Sequence, residues 1–302
     1  MGSRKVQIMA DLALVFVALV WGATFVSVKE AIKHIEPFYF LAIRFAIAAV
    51  IMLVVSNRRL LRLTLPALFK GILIGLFLFA GYAFQTFGLK YTTASNAGFI
   101  TGLTVVLVPV FYTLLTKKAP GMISLFGILC AAAGLGLLTI NENLRFNYGD
   151  ILVLFCAVSY ALHILVVGKF SPDNDSFILA TVQIATVAVA SFIAALFKET
   201  TPTLGNFNTQ VWSAILITAV FATALAFFLQ TWTQKYTSPS HTAVIFTMEP
   251  VFAALFAYLI GGESFTPRQG LGAVFILTGM LASELGSQRE NKKAIIEDTV
   301  NV

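Results

Sequence analysis

Charge is scarce in this sequence: Asp, Glu, Lys and Arg make up 11% of its 302 residues, against about 25% in a soluble domain. With 58% hydrophobic residues, it carries more apolar surface than an aqueous core could hide, so the chain belongs in a bilayer. Cysteine is nearly missing. Cys130 and Cys156 sit in apolar runs without CxxC or metal-ligand spacing, and read as small packing residues. No GxxxxGK[ST] loop exists, since the position that would open one before Lys169 is His163, and this excludes a nucleotide-driven engine of that type. HExxH, GxSxG and paired carboxylates are absent, which leaves an enzyme only an unrecognised site. The formal charge of +6 comes from basic residues scattered at the ends of apolar runs, not from a basic face interleaved with aromatics. Nucleic acid is therefore excluded as a partner. Nothing in the sequence asks for a metal or a cofactor.

What is present is a series of ten apolar runs, roughly 11 to 31, 37 to 56, 66 to 88, 95 to 116, 121 to 140, 149 to 169, 175 to 197, 210 to 232, 239 to 261 and 268 to 286. At 1.5 Å per residue, each is long enough to cross a hydrocarbon core of about 30 Å. Helices are expected, because backbone exposed to lipid must satisfy its own hydrogen bonds. Pro37, Pro66, Pro120, Pro239 and Pro267 stand at or near the expected helix starts, where a missing N–H costs least. The pairs Gly71/Gly75, Gly98/Gly102, Gly127/Gly134 and Gly272/Gly279 mark close helix packing. The segment 287–302 is charged and reads as a disordered cytoplasmic tail. With the N-terminus inside, thirteen Lys and Arg fall in inner segments and six in outer ones. That asymmetry puts both termini in the cytoplasm, with the chain multi-pass in the cell membrane.

The chain is also duplicated. QTFGLKYTTAS at Gln85 to Ser95 returns as QTWTQKYTSPS at Gln230 to Ser240, with six of eleven positions identical. Upstream, an offset of 139 sets Asp11, Trp21, Thr24 and Arg44 against Asp150, Tyr160, His163 and Gln183. The fold class is therefore all-α integral membrane, with one five-helix unit over 11–140 and a second over 149–286. Five is an odd number, so the second unit is inserted upside down. Such inverted repeats let two halves exchange conformations around a site at the midplane.

Trp21-Gly22-Ala23-Thr24-Phe25, Lys90-Tyr91-Thr92 with Ser95, Lys235-Tyr236-Thr237 with Ser240, Glu249-Pro250-Val251-Phe252 and the Gly262-Glu263 helix end together resemble the EamA-type permeases of the drug/metabolite transporter superfamily. The resemblance covers about 11 to 286. It implies a transporter, most often an exporter of amino acids or related metabolites. In the first unit Lys117-Lys118 replaces the Gly-Glu end. Ser95 to Pro109 spans 14 residues where Ser240 to Pro250 spans 10, so helix four is expected to kink at a different depth from helix nine.

Candidate site residues follow from depth. Trp21 and Tyr160 lie about ten residues into their spans, hence ~15 Å deep, either lining a cavity or packing as core rings. Thr24 and His163 follow on nearly the same helical face, as cargo contacts or as groups satisfied by neighbours. Arg44 and Glu249 are ionisable groups inside spans, which face protein or a watery cavity. Their depths allow a structural ion pair; alternatively, Arg44 forks onto a carboxylate or phosphate while Glu249 accepts an amine or a proton. Gln183, the mate of Arg44, keeps hydrogen bonding without charge. Gln85 and Gln230 fall near opposite membrane faces, suited to gates or helix clamps. The expected cargo is a small organic metabolite, moved by secondary or facilitative transport, with protons as a candidate partner. A phosphorylated-sugar or nucleotide-sugar exchanger, a membrane-embedded enzyme and a channel are the alternatives. Oligomeric state is not legible.

Overall fold

A computed structural model describes residues 2–116, 121–139, 147–237 and 239–300. The expected Lys117, Lys118, Pro120 and Arg145 lie outside the described residues. The chain crosses ten times as helices. Crossings one to five are α1 (Gly2–Ala31), α2 (Pro37–Leu60), α3 (Leu65–Gly88), the pair α4 (Ala94–Gly102) and α5 (Thr104–Thr116), and α6 (Met122–Thr139). Crossings six to ten are α7 (Tyr148–Phe170), α8 (Ser176–Lys198), the pair α9 (Thr209–Ala219) and α10 (Ala226–Thr233), the pair α11 (Pro239–Phe246) and α12 (Met248–Leu259), and the first part of α13 (Pro267–Val300). Among the described residues eight of these are long apolar spans, and crossing five is apolar over Leu125–Leu137. The helix of α13 continues to Val300, through the stretch from Ser287 for which composition predicts a disordered tail. That stretch holds Gln288, Arg289, Glu290, Lys292, Lys293, Ala294 and Glu297, all good helix formers, and no Gly or Pro.

Packing follows a two-fold relation between the units. α1 lies on α12 as α7 lies on α5, α4 meets α12 as α11 meets α5, α3 meets α7 and α8 as crossing eight meets α1 and α2, and α2–α8 and α6–α13 pair as mates. The glycines set the closest approach. A β-carbon on Gly127 would stand 2.7 Å from the Gly279 carbonyl oxygen, and one on Gly134 would stand 2.6 Å from that of Gly272. Without a hydrophobic drive between helices in lipid, this backbone-to-backbone contact supplies the dispersion energy that holds α6 to α13.

The expectation of unequal kinks is corrected. Crossing four breaks at Leu103 and crossing nine at Thr247, 144 residues apart, so the two breaks lie at nearly the same depth. Pro250 explains the second, because it has no N–H for the Phe246 carbonyl. Pro109 instead sits within α5 and does not set the first break. At that break Gly102 lies against Pro250, where an added β-carbon would be 3.0 Å from the proline ring. Crossing four thus bends where it meets Pro250 of crossing nine, not at its own proline.

Helix ends interlock the units. α12 closes on Gly262 at φ +65°, and the Glu263 N–H reaches back to the Ala257 carbonyl at 3.0 Å. A left-handed glycine of this kind reverses the chain. Glu263 then accepts from the Ala94 and Ser95 amides at 2.7 and 3.1 Å and pairs with Lys29 at 3.5 Å. Glu199 likewise takes the Phe38 and Tyr39 amides at the start of α2, at 2.8 and 2.9 Å. Burial holds its carboxyl above the usual carboxylate range, against the two amides that favour its charge.

Candidate functional site

A cavity of about 730 Å3, measured out to its mouth, lies between the units, walled by α1, α2, α3, the break of crossing four, α7, α10 and the break of crossing nine. Trp21, Thr24, Arg44, Gln85, Tyr160, His163, Gln230 and Glu249 all line it. Gln183 does not: it is fully buried behind His163, accepting or donating at 2.8 Å to that ring and donating to Thr231 at 3.1 Å. Gln85 and Gln230, expected at opposite membrane faces, both line this one cavity, which runs between their depths.

Arg44 is positioned by a fault in crossing eight. Between α9 and α10 the residues Val220–Leu225 form a π-helical turn that takes the Ala222 carbonyl out of the α-helical ladder, the Ala226 N–H bonding to the Phe221 and Thr223 carbonyls instead. The Ala222 carbonyl accepts from Trp21 Nε1 at 2.9 Å and from Arg44 Nη2 at 3.3 Å. Arg44 Nε donates to Thr223 Oγ1 at 2.8 Å, and Nη2 also donates to the Tyr82 hydroxyl at 3.1 Å. Desolvating a guanidinium is costly in a span, and these bonds offset it. The structural ion pair is not formed: among the described residues no salt bridge joins Arg44 to Glu249. Arg44 is held by neutral oxygens instead, which leaves Glu249, 8% exposed on the cavity wall, with no hydrogen bond recorded among the described residues.

Rings surround this charge. Trp21 packs on Phe246 and Phe227 at 5.0 and 5.4 Å, and Tyr82 stands edge-on to Phe45 and Tyr160 at 4.9 and 5.6 Å. Each such pair contributes ~0.5–1.5 kcal/mol beyond area burial. Tyr160 lies over Gly81, where a β-carbon would be 2.1 Å from its ring. Tyr82, Phe227, Thr101 and Thr104 line the cavity and were not singled out from sequence. The 145-residue offset carried a usable signal for two of them, since it makes Tyr82 and Phe227 mates. The π-turn carried a fainter one. The N-caps Thr64 and Asn208 are 144 residues apart, whereas Gln85 and Gln230 are 145 apart, so the second copy holds one residue more.

A multi-pass helical protein whose two inverted five-crossing units enclose a polar and aromatic cavity at mid-depth has the architecture of a membrane transporter. The model of the EamA-like transporter family matches residues 8–140 and again 147–283. An uncharacterized transporter of Archaeoglobus fulgidus is 40% identical over 284 residues, spanning 92% of this chain and 87% of that protein. The uncharacterized transporter YyaM of Bacillus subtilis is 27% identical, spanning 87% and 89%. One crystal structure superposes with a TM-score of 0.69 at 20% identity, covering 93% of this chain and 98% of that one, which speaks to the fold. The chain belongs to the EamA-like transporter family, in the drug/metabolite transporter superfamily, and is a membrane transporter rather than an enzyme.

Proposed function

We propose that this transporter moves small organic metabolites, chiefly exporting amino acids or related compounds, by alternating access of the cavity between its two units. Transport is secondary or facilitative, and both termini are cytoplasmic. The observation that carries the reading is the chemistry of the cavity wall. Arg44 is braced by Thr223, Tyr82 and the Ala222 carbonyl, with Nη1 left over, while Glu249 faces the same cavity unpaired among the described residues. A zwitterion with an apolar side chain complements such a wall: its carboxylate meets the guanidinium, its ammonium a carboxylate, and its side chain the rings. A phosphorylated-sugar or nucleotide-sugar exchanger finds less support, because Arg44 is the single Lys or Arg deep within the expected spans.

The test is flux of a labelled amino-acid panel in proteoliposomes, with and without a pH gradient, for the native chain and Glu249→Gln. Gradient-stimulated flux that disappears in Glu249→Gln is the expected result for proton-coupled export. Equal flux in both proteins would return Glu249 to a structural role, and no flux of any panel member would overturn the amino-acid reading.

A further inference from the structure

We propose that His163 presents Nδ1 to the cavity as a fixed hydrogen-bond acceptor, held in that sense by Gln183, Thr231 and the Phe227 carbonyl, and thereby selects cargo bearing an amine or hydroxyl donor. This rests on the cavity being the cargo site and adds the residue that reads the cargo's donor end.

The argument is one of forced roles. The Phe227 carbonyl can only accept, and the Thr231 hydroxyl lies 2.6 Å from it, so that hydroxyl donates there. Having spent its proton, Thr231 Oγ1 is an acceptor toward Gln183, whose Nε2 approaches at 3.1 Å. Gln183 thus turns its Oε1 to His163 Nε2 at 2.8 Å. A carbonyl oxygen can only accept, so His163 Nε2 carries the proton. Turning the amide over would reverse the chain and leave two lone-pair oxygens facing each other at 2.6 Å, which excludes the other tautomer. In the neutral ring, Nδ1 is then the acceptor.

His163 lines the cavity, edge-on to Phe227 at 5.9 Å, while Gln183 is fully buried behind it. A second observation points the same way. Gln230, next to Thr231 in α10 and also lining the cavity, is 1% exposed and its Oε1 has no hydrogen-bond partner among the described residues. His163, Gln230 and Glu249 thus give the lining acceptors awaiting donors, whereas the N–H and O–H groups of Trp21, Thr24 and Thr104 are already committed to backbone carbonyls. A buried acceptor left without a donor rejects analogues that lack one, and this is how polar sites discriminate.

The chain holds 3 histidines, so its ring nitrogens can be read by 15N NMR in nanodiscs on histidine-labelled protein, with His163→Asn assigning the signal. In the native chain the His163 ring is expected as the Nε2–H tautomer. Gln183→Met, similar in shape but without the acceptor, should mix the tautomers, and Gln183→Glu, which restores an acceptor, should recover Nε2–H. Titration then uses leucine and phenylalanine against their deaminated analogues 4-methylpentanoate and 3-phenylpropanoate. The Nδ1 resonance is expected to move with the amine-bearing pair and to stay with the others. An Nδ1–H ring in the native chain, or a response equal for both pairs or absent for both, would overturn the assignment. The tautomer is read without flux, so a failed amino-acid panel and a failed relay are separate results.

Discussion

Crossings three and eight are the same helix written twice, and their difference is where the chemistry lies. α3 runs unbroken from Leu65 to Gly88, while crossing eight holds one residue more and absorbs it in the π-turn Val220–Leu225. The regular copy offers side chains: Tyr82 and Gln85. The faulted copy also offers backbone, because the Ala222 carbonyl is free to hold Arg44 and Trp21. The mate of Arg44, Gln183, carries no charge; it bonds Thr231 of crossing eight and serves as a relay behind His163. One inserted residue thus allows a charged wall in one half of a cavity built from duplicated parts.

The largest effect expected from breaking this asymmetry is at Arg44. Arg44→Lys keeps the charge but cannot span Thr223, Tyr82 and the Ala222 carbonyl, so flux should fall more than about 100-fold with insertion intact, a loss of two bonds at ~1.5–3 kcal/mol each. Deleting Phe221, a residue of the π-turn that is 46% exposed, should convert crossing eight into a copy of α3. The Ala222 carbonyl would return to the helix ladder, and flux should drop about 10- to 100-fold, the weight of one bond to a buried charge. Proteoliposome flux, with folding checked by size exclusion, measures both.

The two ends of the molecule extend the comparison with smaller effects. Asp150 is buried with Thr92 as its partner, whereas its mate Asp11 is part-exposed and pairs with His241 at 2.9 Å. Glu263 stitches α12 to the start of α4, and its mate by offset, Lys118, lies outside the described residues. Glu263→Ala should lower thermal stability by ~1–2 kcal/mol, the cost of a lost helix cap. His241→Ala should cost only ~0–1 kcal/mol, and where the ring is protonated the loss should shrink in high salt, as for an exposed pair. Thermal unfolding in detergent at two salt concentrations separates the two.

The fold was legible because its determinants are repeated: ten apolar runs, an odd number per unit, and glycines at the α6–α13 contact. Eight of the nine candidate residues line the cavity for a related reason, since depth and repeat position can be counted along a helix. What could not be counted was rotation about the helix axis. Gln183 shares its depth with Arg44, yet points behind His163. Nor does residue counting reveal a carbonyl released from a helix ladder, so Arg44 looked like a partner for Glu249 when Ala222 and Thr223 were its partners. The kinks misled in the same way, because Pro109 lies within α5 while crossing four breaks at Leu103.

The central claim is that the cavity between the units is the passage for cargo. Its most direct test places one cysteine on the cavity wall, Thr104→Cys, in a chain carrying Cys130→Ala and Cys156→Ala, and applies a membrane-impermeant maleimide to either side of sealed vesicles. Alternating access predicts labelling from both sides, suppressed by the amino acid that the flux panel selects. Labelling from neither side, or labelling indifferent to that amino acid, would contradict the account.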